Sequence, residues 1–442
     1  MAPRLDGRLV ATLACVLVLA ACGDAERPSG ATDCGDGVKP CACGDTVVAD
    51  FRLTADIVCT TSRGDCDVER FACTGLALAS GVTLDGAGFA LVGPAVPAAD
   101  GAVPDARRDA LYGVVFPPAT YGARVQDLEV RGFARGVVFR NGLRECTSDA
   151  ECGTSACAAA PAELAGVVLD PTRRWCAGNV AAGLAVRHDA SAFGEQLGLF
   201  GFSITAPDPE AVDDVGGMNV IDGGLVVGIG DRGLHVSQAR LNVVRDLLIE
   251  GSSRENVHLL READENLLVG VHSVRAGTGA PNVFVEDSKR NVFLADVLEG
   301  SFVHVVGASD GNRFVDSQLV GEGARYDFET DVEEATGSPR PPRDNLVLGG
   351  GVARSGSRSL PCVILDGASG TVFDSVALEC GDAAPAPGET PVDVLVARDN
   401  PDPERPNVFH VGDCDPAVPD LLVARDEGVS EAPLVFEDRG CR

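Results

Sequence analysis

Asn219-Val-Ile-Asp222, Asn242-Val-Val-Arg245, Asn266-Leu-Leu-Val269, Asn291-Val-Phe-Leu294 and Asn312-Arg-Phe-Val315 are copies of one short pattern, 23, 24, 25 and 21 residues apart. Self-similarity at such a period marks an architecture whose units bury their apolar faces only against their neighbours. Looser copies start at Asn345, Gly370 and Asn407. Two residues after the Asn stand Ile221, Val244, Leu268, Phe293, Phe314, Val347 and Phe409. A column that stays apolar while its neighbours vary faces inward from stacked strands. The Asn column has its own logic, because an amide side chain both donates and accepts and stacked copies can bond one another through a buried turn.

A second strand lies between the Asn positions, at Gly233-Leu-His-Val236, Asn256-Val-His-Leu259, Asn282-Val-Phe-Val285 and Phe302-Val-His-Val305. Leu234, Val257, Val283 and Val303 share a phase with Val236, Leu259, Val285 and Val305, whereas His235, His258, Phe284 and His304 take the opposite one. Two short β-branched strands per period, with Gly or Asn at the corners and no helical periodicity, predict an all-β solenoid of parallel strands rising about 4.8 Å per coil.

These features resemble the right-handed parallel β-helix proteins of the pectin-lyase-like superfamily. The likeness extends upstream through Cys43-Gly-Asp-Thr-Val47, Val82-Thr-Leu-Asp-Gly86, Val125-Gln-Asp-Leu-Glu-Val130 and Gly136-Val-Val-Phe139, so that it spans most of residues 43–412. It implies a fold and leaves the activity open, because this superfold hosts lyases, hydrolases, epimerases and non-catalytic spikes.

The ends of the chain carry an address. Arg4 and Arg8 precede an apolar run from Leu9 to Leu19, too short for a stable membrane span, and Leu19-Ala20-Ala21-Cys22 resembles the bacterial lipobox. The resemblance implies removal of residues 1–21, acylation of Cys22 and a tether over 22–33, with the protein lipid-anchored to the bacterial cell envelope at the outer membrane or cell surface. Of 16 Cys, Cys15 leaves with the leader and Cys22 takes the lipid, and the remaining 14 suit disulfides in an oxidising compartment. They form even groups: Cys34, Cys41, Cys43, Cys59, Cys66 and Cys73; Cys146, Cys152, Cys157 and Cys176; Cys362 and Cys380; Cys414 and Cys441. Pairing within the first group stays open. Zinc is disfavoured because no Cys-x-x-Cys pair exists.

The expected division is therefore a Cys-rich N-terminal cap with the first coils at 34–74, the β-helix at 75–412 and a C-terminal cap at 413–442. A disulfide-stapled insertion at 146–176 and a mobile acidic loop at 327–344 interrupt the coils, and the Pro-rich stretch 382–407 reads as a third insertion.

Composition narrows the partners. With 66 acidic against 36 basic residues the formal charge is −30, which repels nucleic acid, and aromatics at 5% leave few flat sugar platforms. The strongest constellation is a candidate groove of His235, His258, Phe284 and His304, one ring per coil on an outward phase and suited to a polysaccharide. Asp246 and Asp316, with Asp222 and Asp296 nearby in phase, make a calcium strip conceivable. Lys39 and Lys289 are the only lysines and nominate no base. Tyr326-Asp-Phe-Glu-Thr-Asp331 faintly resembles the Tyr-Gly-Phe-Asp-Pro-His motif of bacterial alginate epimerases, but its Pro-His is absent. The paired-Asp and Gly-His-Gly motifs of polygalacturonases are absent as well. Two readings follow. The preferred one is a non-catalytic envelope protein with a surface or glycan-contact role; the alternative is a lyase or epimerase acting on a uronate polymer along the outer sheet face.

Overall fold

The computed structural model describes residues 32–59 except 38, then 73–93, 111–164, 170–188, 199–208, 215–333 and 336–411, with 422–426, 429 and 434–438 beyond. The leader, Cys22, Cys66, Cys414 and Cys441 lie outside the described residues, as does the side chain of Cys73.

Two parallel sheets form the walls of a right-handed β-helix, the hand that parallel crossover connections take. Sheet 1 holds 14 described strands and sheet 2 holds 21. The repeat register is the one the Asn spacing demands: Ile221, Val244, Leu268, Phe293, Phe314, Val347, Phe373 and Phe409 pair in succession along sheet 2 and point into the core. Phe293 on Phe314 and Phe373 on Phe409 stack with centroids 4.6 Å apart. Opposite them, Leu234, Val257, Val283, Val303, Tyr326 and Val363 form an inner column of sheet 1.

The coils from Leu267 to Cys380 have three strands rather than the expected two, whereas Val180–Arg187, Val220–Val227 and Val243–Glu250 each pass the corner as one strand. After the strand that follows the Asn, one residue turns left-handed and a further strand begins: Leu267–Val269, Gly270 at φ 63°, then His272–Val274. Ala295, Asp316, Gly349 and Ser375 make the same break at φ 54°, 52°, 63° and 58°. A one-residue corner interrupts neither the apolar content nor the period, so alternation along the sequence passes over it.

The Asn column is a continuous buried ladder. Asn219 Oδ1 accepts from the Asn179 backbone N–H at 3.0 Å, and the same bond recurs from Asn219 to Asn242, Asn266, Asn291, Asn312 and Asn345 at 2.9–3.1 Å. Side-chain amides bond along the same line. Asn141 and Asn179 extend it backwards, and Asn256 with Asn282 begins a second, shorter ladder.

Disulfides close within the groups read from the sequence: Cys34–Cys41, Cys43–Cys59, Cys146–Cys157, Cys152–Cys176 and Cys362–Cys380. The sulfurs of Cys146, Cys152 and Cys157 cluster as metal ligands would, yet each is spent in a disulfide. The insertion is a small hairpin, Cys157–Ala159 against Arg174–Cys176, and Trp175 and Leu164 press onto Val243, Leu267 and Val292 on the outer side of sheet 2.

The predicted loop 327–344 is partly a strand. Tyr326–Glu329 pairs with both neighbours in sheet 1, because Tyr326 and Phe328 fill the core between Val303 and Val363 and between Val305 and Leu365. Only the part beyond it projects, as the pairing of Asp331–Val332 with Pro339–Arg340. The stretch 382–407 likewise contains a sheet 1 strand, Val394–Arg398. Val423–Arg425 and Leu434–Asp438, expected in the C-terminal cap, add strands to the two sheets.

Candidate functional site

Alternation in sheet 1 sends every second side chain outward. His235, His258, Phe284, His304 and Asp327 occupy one outward position on five consecutive strands. All four groove candidates therefore come together. Their rings form an unbroken ladder with centroids 5.4 Å, 5.0 Å and 5.3 Å apart, and Phe200 extends it by stacking on His235 at 4.6 Å.

The ladder is not uniform. His235 and His258 are buried, at 8% and 2% exposure, whereas Phe284 and His304 are half-buried. Burial holds both buried imidazoles below the usual His range, most strongly His235, where His258, Arg232 and Arg135 oppose a second positive charge. At this end Arg232 donates to Glu255 at 2.9 Å and meets Asp231 at 3.0 Å, and the Arg135 guanidinium lies over the Phe200 ring, 4.9 Å from its centroid.

The other end carries a histidine–carboxylate pair and an arginine–carboxylate pair. His304 Nε2 is 2.9 Å from Glu329 Oε2, a contact in which the carboxylate accepts from Nε2–H and leaves Nδ1 as the basic nitrogen. Asp327, the in-register neighbour of His304, is pushed up by burial against the opposing pull of His304 and Arg325. Arg325 sits over the Phe302 ring, 3.8 Å from its centroid, with Nη2 3.5 Å from Asp327 Oδ2. Glu286 lies 3.8 Å from His258 Nε2, an approach that lowers the Glu286 carboxyl. Arg340 at the base of the projecting hairpin bonds Asp287 at 2.6 Å and Asp331, tying the hairpin to the turn after Val283–Glu286.

Sequence reasoning assigned Asp327 and Glu329 to a loop and singled out neither Arg325 nor Phe200. The signal was present: Val303 to Tyr326 is 23 residues, the period of the repeat, and Tyr-Asp-Phe-Glu continues the in–out alternation.

The conceivable calcium strip does not assemble. Asp246 and Asp316 are left-handed corner residues whose Oδ1 atoms lie against the backbone of Gly270 and Gly349. Asp222 is exposed on the outer side of sheet 2, and Asp296 is buried. Lys289 Nζ lies 3.9 Å from Asp310. The remaining three histidines, His188, His272 and His410, lie away from the ladder on sheet 2 or at its end; His272 pairs with Glu299 at 2.6 Å.

No family model matches the chain, and no curated protein matches it. Among solved structures it is similar to the A-module of a mannuronan C-5 epimerase from Azotobacter vinelandii, at 10% identity and a TM-score of 0.42, over 80% of this chain and 90% of that one. It is similar to an alginate lyase from Paenibacillus sp., at 12% identity and a TM-score of 0.35, over 80% and 99% of the two chains. A third similar structure is the Dettilon tailspike protein, at 10% identity and a TM-score of 0.39, over 89% of this chain and 62% of that one. These likenesses are of overall trace, and the parallel β-helix rests on the chain's own strand pairing.

Proposed function

We propose that the protein acts on a uronate-containing polysaccharide along the outer face of sheet 1, by proton transfer at His304, while anchored to the bacterial envelope through Cys22. The observation that carries this reading is the His304–Glu329 pair standing beside Asp327 and Arg325 at the open end of the ring ladder. A carboxylate that holds Nε2–H orients the imidazole and stabilises it once protonated. In the reaction His304 Nδ1 takes the proton α to the uronate carboxylate, and the Arg325 guanidinium meets the charge that builds on that carboxylate. Asp327, kept protonated more readily by its burial, is the acid. In a lyase the C4–O4 bond breaks and O4 takes the Asp327 proton; in an epimerase Asp327 gives its proton to C5 from the opposite face while His304 keeps the one it removed.

The non-catalytic glycan-contact reading is favoured by one observation, the burial of His235 and His258, which leaves half of the ladder as packing. The two readings separate in heavy water. Soluble protein lacking residues 1–22 is incubated with alginate or pectate, and deuterium at C5 is followed by NMR together with absorbance near 235 nm. C5 exchange, or the rise near 235 nm, reduced by about 10²–10⁴-fold in both His304→Gln and Glu329→Gln supports catalysis. Neither C5 exchange nor a rise near 235 nm with any uronate polymer, with binding retained, sinks it and leaves the contact role. For the anchor, Cys22→Ser in the full chain should move the protein from the membrane to the soluble fraction; unchanged sedimentation with membranes would rule the acyl anchor out.

A further inference from the structure

Ser203, His235 and His258 stand in register on three consecutive strands of sheet 1. All three are buried, and Ser203 Oγ, His235 Nδ1 and both ring nitrogens of His258 have no hydrogen-bond partner among the described residues. What holds this part of the wall is ring contact: Phe200 on His235, His235 edge-on to His258, His258 against Phe284. In that sandwich a neutral imidazole packs as an aromatic ring, whereas a protonated one is a buried cation with no hydrogen-bonded counter-charge.

The charges facing the pair are unfavourable to a cation at His235 and only partly favourable at His258. Arg135 comes from the strand Arg135–Phe139, and Asp231 and Arg232 from the start of Arg232–Ser237. Arg254 and Glu255 precede Val257–Leu260, and Glu286 ends Val283–Glu286. Glu255 is already engaged, by Arg232 at 2.9 Å and Arg254 at 3.3 Å. Glu286 approaches His258 alone, from the half-buried rim, and stops at 3.8 Å.

We propose that His235 and His258 form an acid-operated switch in the outer wall, closed while both rings are neutral and opening the strands Arg232–Ser237 and Val257–Leu260 to water when they are protonated. The inference does not depend on the catalytic reading. The sign follows from linkage: burial places the folded-state pKa of both rings below that of the unfolded chain, so their stability is full above the ordinary His range and is lost as pH falls through the folded pKa. The rest of the molecule responds the other way. A net charge of −30 and the raised carboxyls of Asp296 and Asp327 favour tightening on acidification. Local loosening against global tightening is therefore the signature.

Hydrogen exchange of the soluble chain, corrected for intrinsic rate and compared between about pH 8 and pH 5, should show about ten-fold or greater loss of protection in 232–237 and 257–260, with 283–286 and 303–306 equally or better protected. The double variant His235→Phe, His258→Phe keeps the stacking and should remove that loss. Equal protection at both pH values, or an equal loss in the variant, overturns the switch. Should the variant fold poorly, imidazole C2–H titration of the wild-type chain decides instead: two buried histidines titrating like free ones overturn it, and a depressed pair whose titration coincides with the exchange transition supports it.

Discussion

Asn266 shows how much one side chain does in a ladder. Its Oδ1 accepts from the Asn242 backbone and side chain at 3.1 Å and 2.9 Å, and its amide reaches Ala239 O at 3.0 Å and Asn291 Oδ1 at 3.1 Å. Replacing it by Ala strands the Asn242 donors and the Ala239 carbonyl inside the protein. Each buried orphan costs about 1–3 kcal/mol, so Asn266→Ala should destabilise by roughly 3–5 kcal/mol. Thermal melts followed by circular dichroism read this as a clear fall in Tm, and an unchanged melting curve would mean that the ladder is ornamental. The Asn column was legible because the amide must recur once per coil to meet its own copy. Asn141 and Asn179 were missed because insertions stretch their spacing to 38 and 40 residues.

The disulfide-stapled insertion illustrates what an element contributes. Outward positions of sheet 2 at Val243, Leu267 and Val292 are apolar, and Trp175 with Leu164 covers them. The Cys152–Cys176 bridge ties Trp175's neighbour to the short turn Asp149–Cys152, so the knob holds its shape independently of the surface beneath it. Trp175→Ala should therefore release the knob rather than unfold the solenoid, at an interface cost of about 3–5 kcal/mol. The expected result is new binding of a hydrophobic dye and loss of exchange protection in 146–176 while sheet 1 stays protected. Loss of protection throughout both sheets would show instead that the knob is integral to the core. Cysteine grouping foretold the cross-links; the docking side was illegible, because an apolar residue on an outward phase reads the same whether water or a loop covers it.

Across the whole molecule the most consequential misfit in the core is Asp296. It takes the inward corner position that Val271 occupies one coil earlier, accepting from the Val271 N–H at 2.7 Å while its second oxygen has no partner among the described residues. Burial pushes its carboxyl up to about 8. The folded-state pKa exceeds the unfolded one, so its stability is full below the ordinary Asp value and is progressively lost as pH rises towards about 8. Asp296→Asn keeps the bond to Val271 and removes the titration. Its Tm at pH near 8 should rise above wild type, with the gap closing near pH 4. A gap of constant size would show that the effect is packing and not charge.

Period, inward columns, parallel stacking and the ring ladder were all written in the chain from Asn219 to Phe409, because a solenoid repeats its environment and so repeats its residues. The left-handed corner that makes three strands of two, the Tyr326–Glu329 strand and the meeting of His304 with Glu329, Asp327 and Arg325 came only with the folded coils. These contacts join residues 21 to 25 positions apart, across strands about 4.8 Å from one another. Which outward side chains are buried, as His258 is, or open, as His304 partly is, depends on what lies over the sheet. Alternation settles the side of a strand; only packing settles the cover.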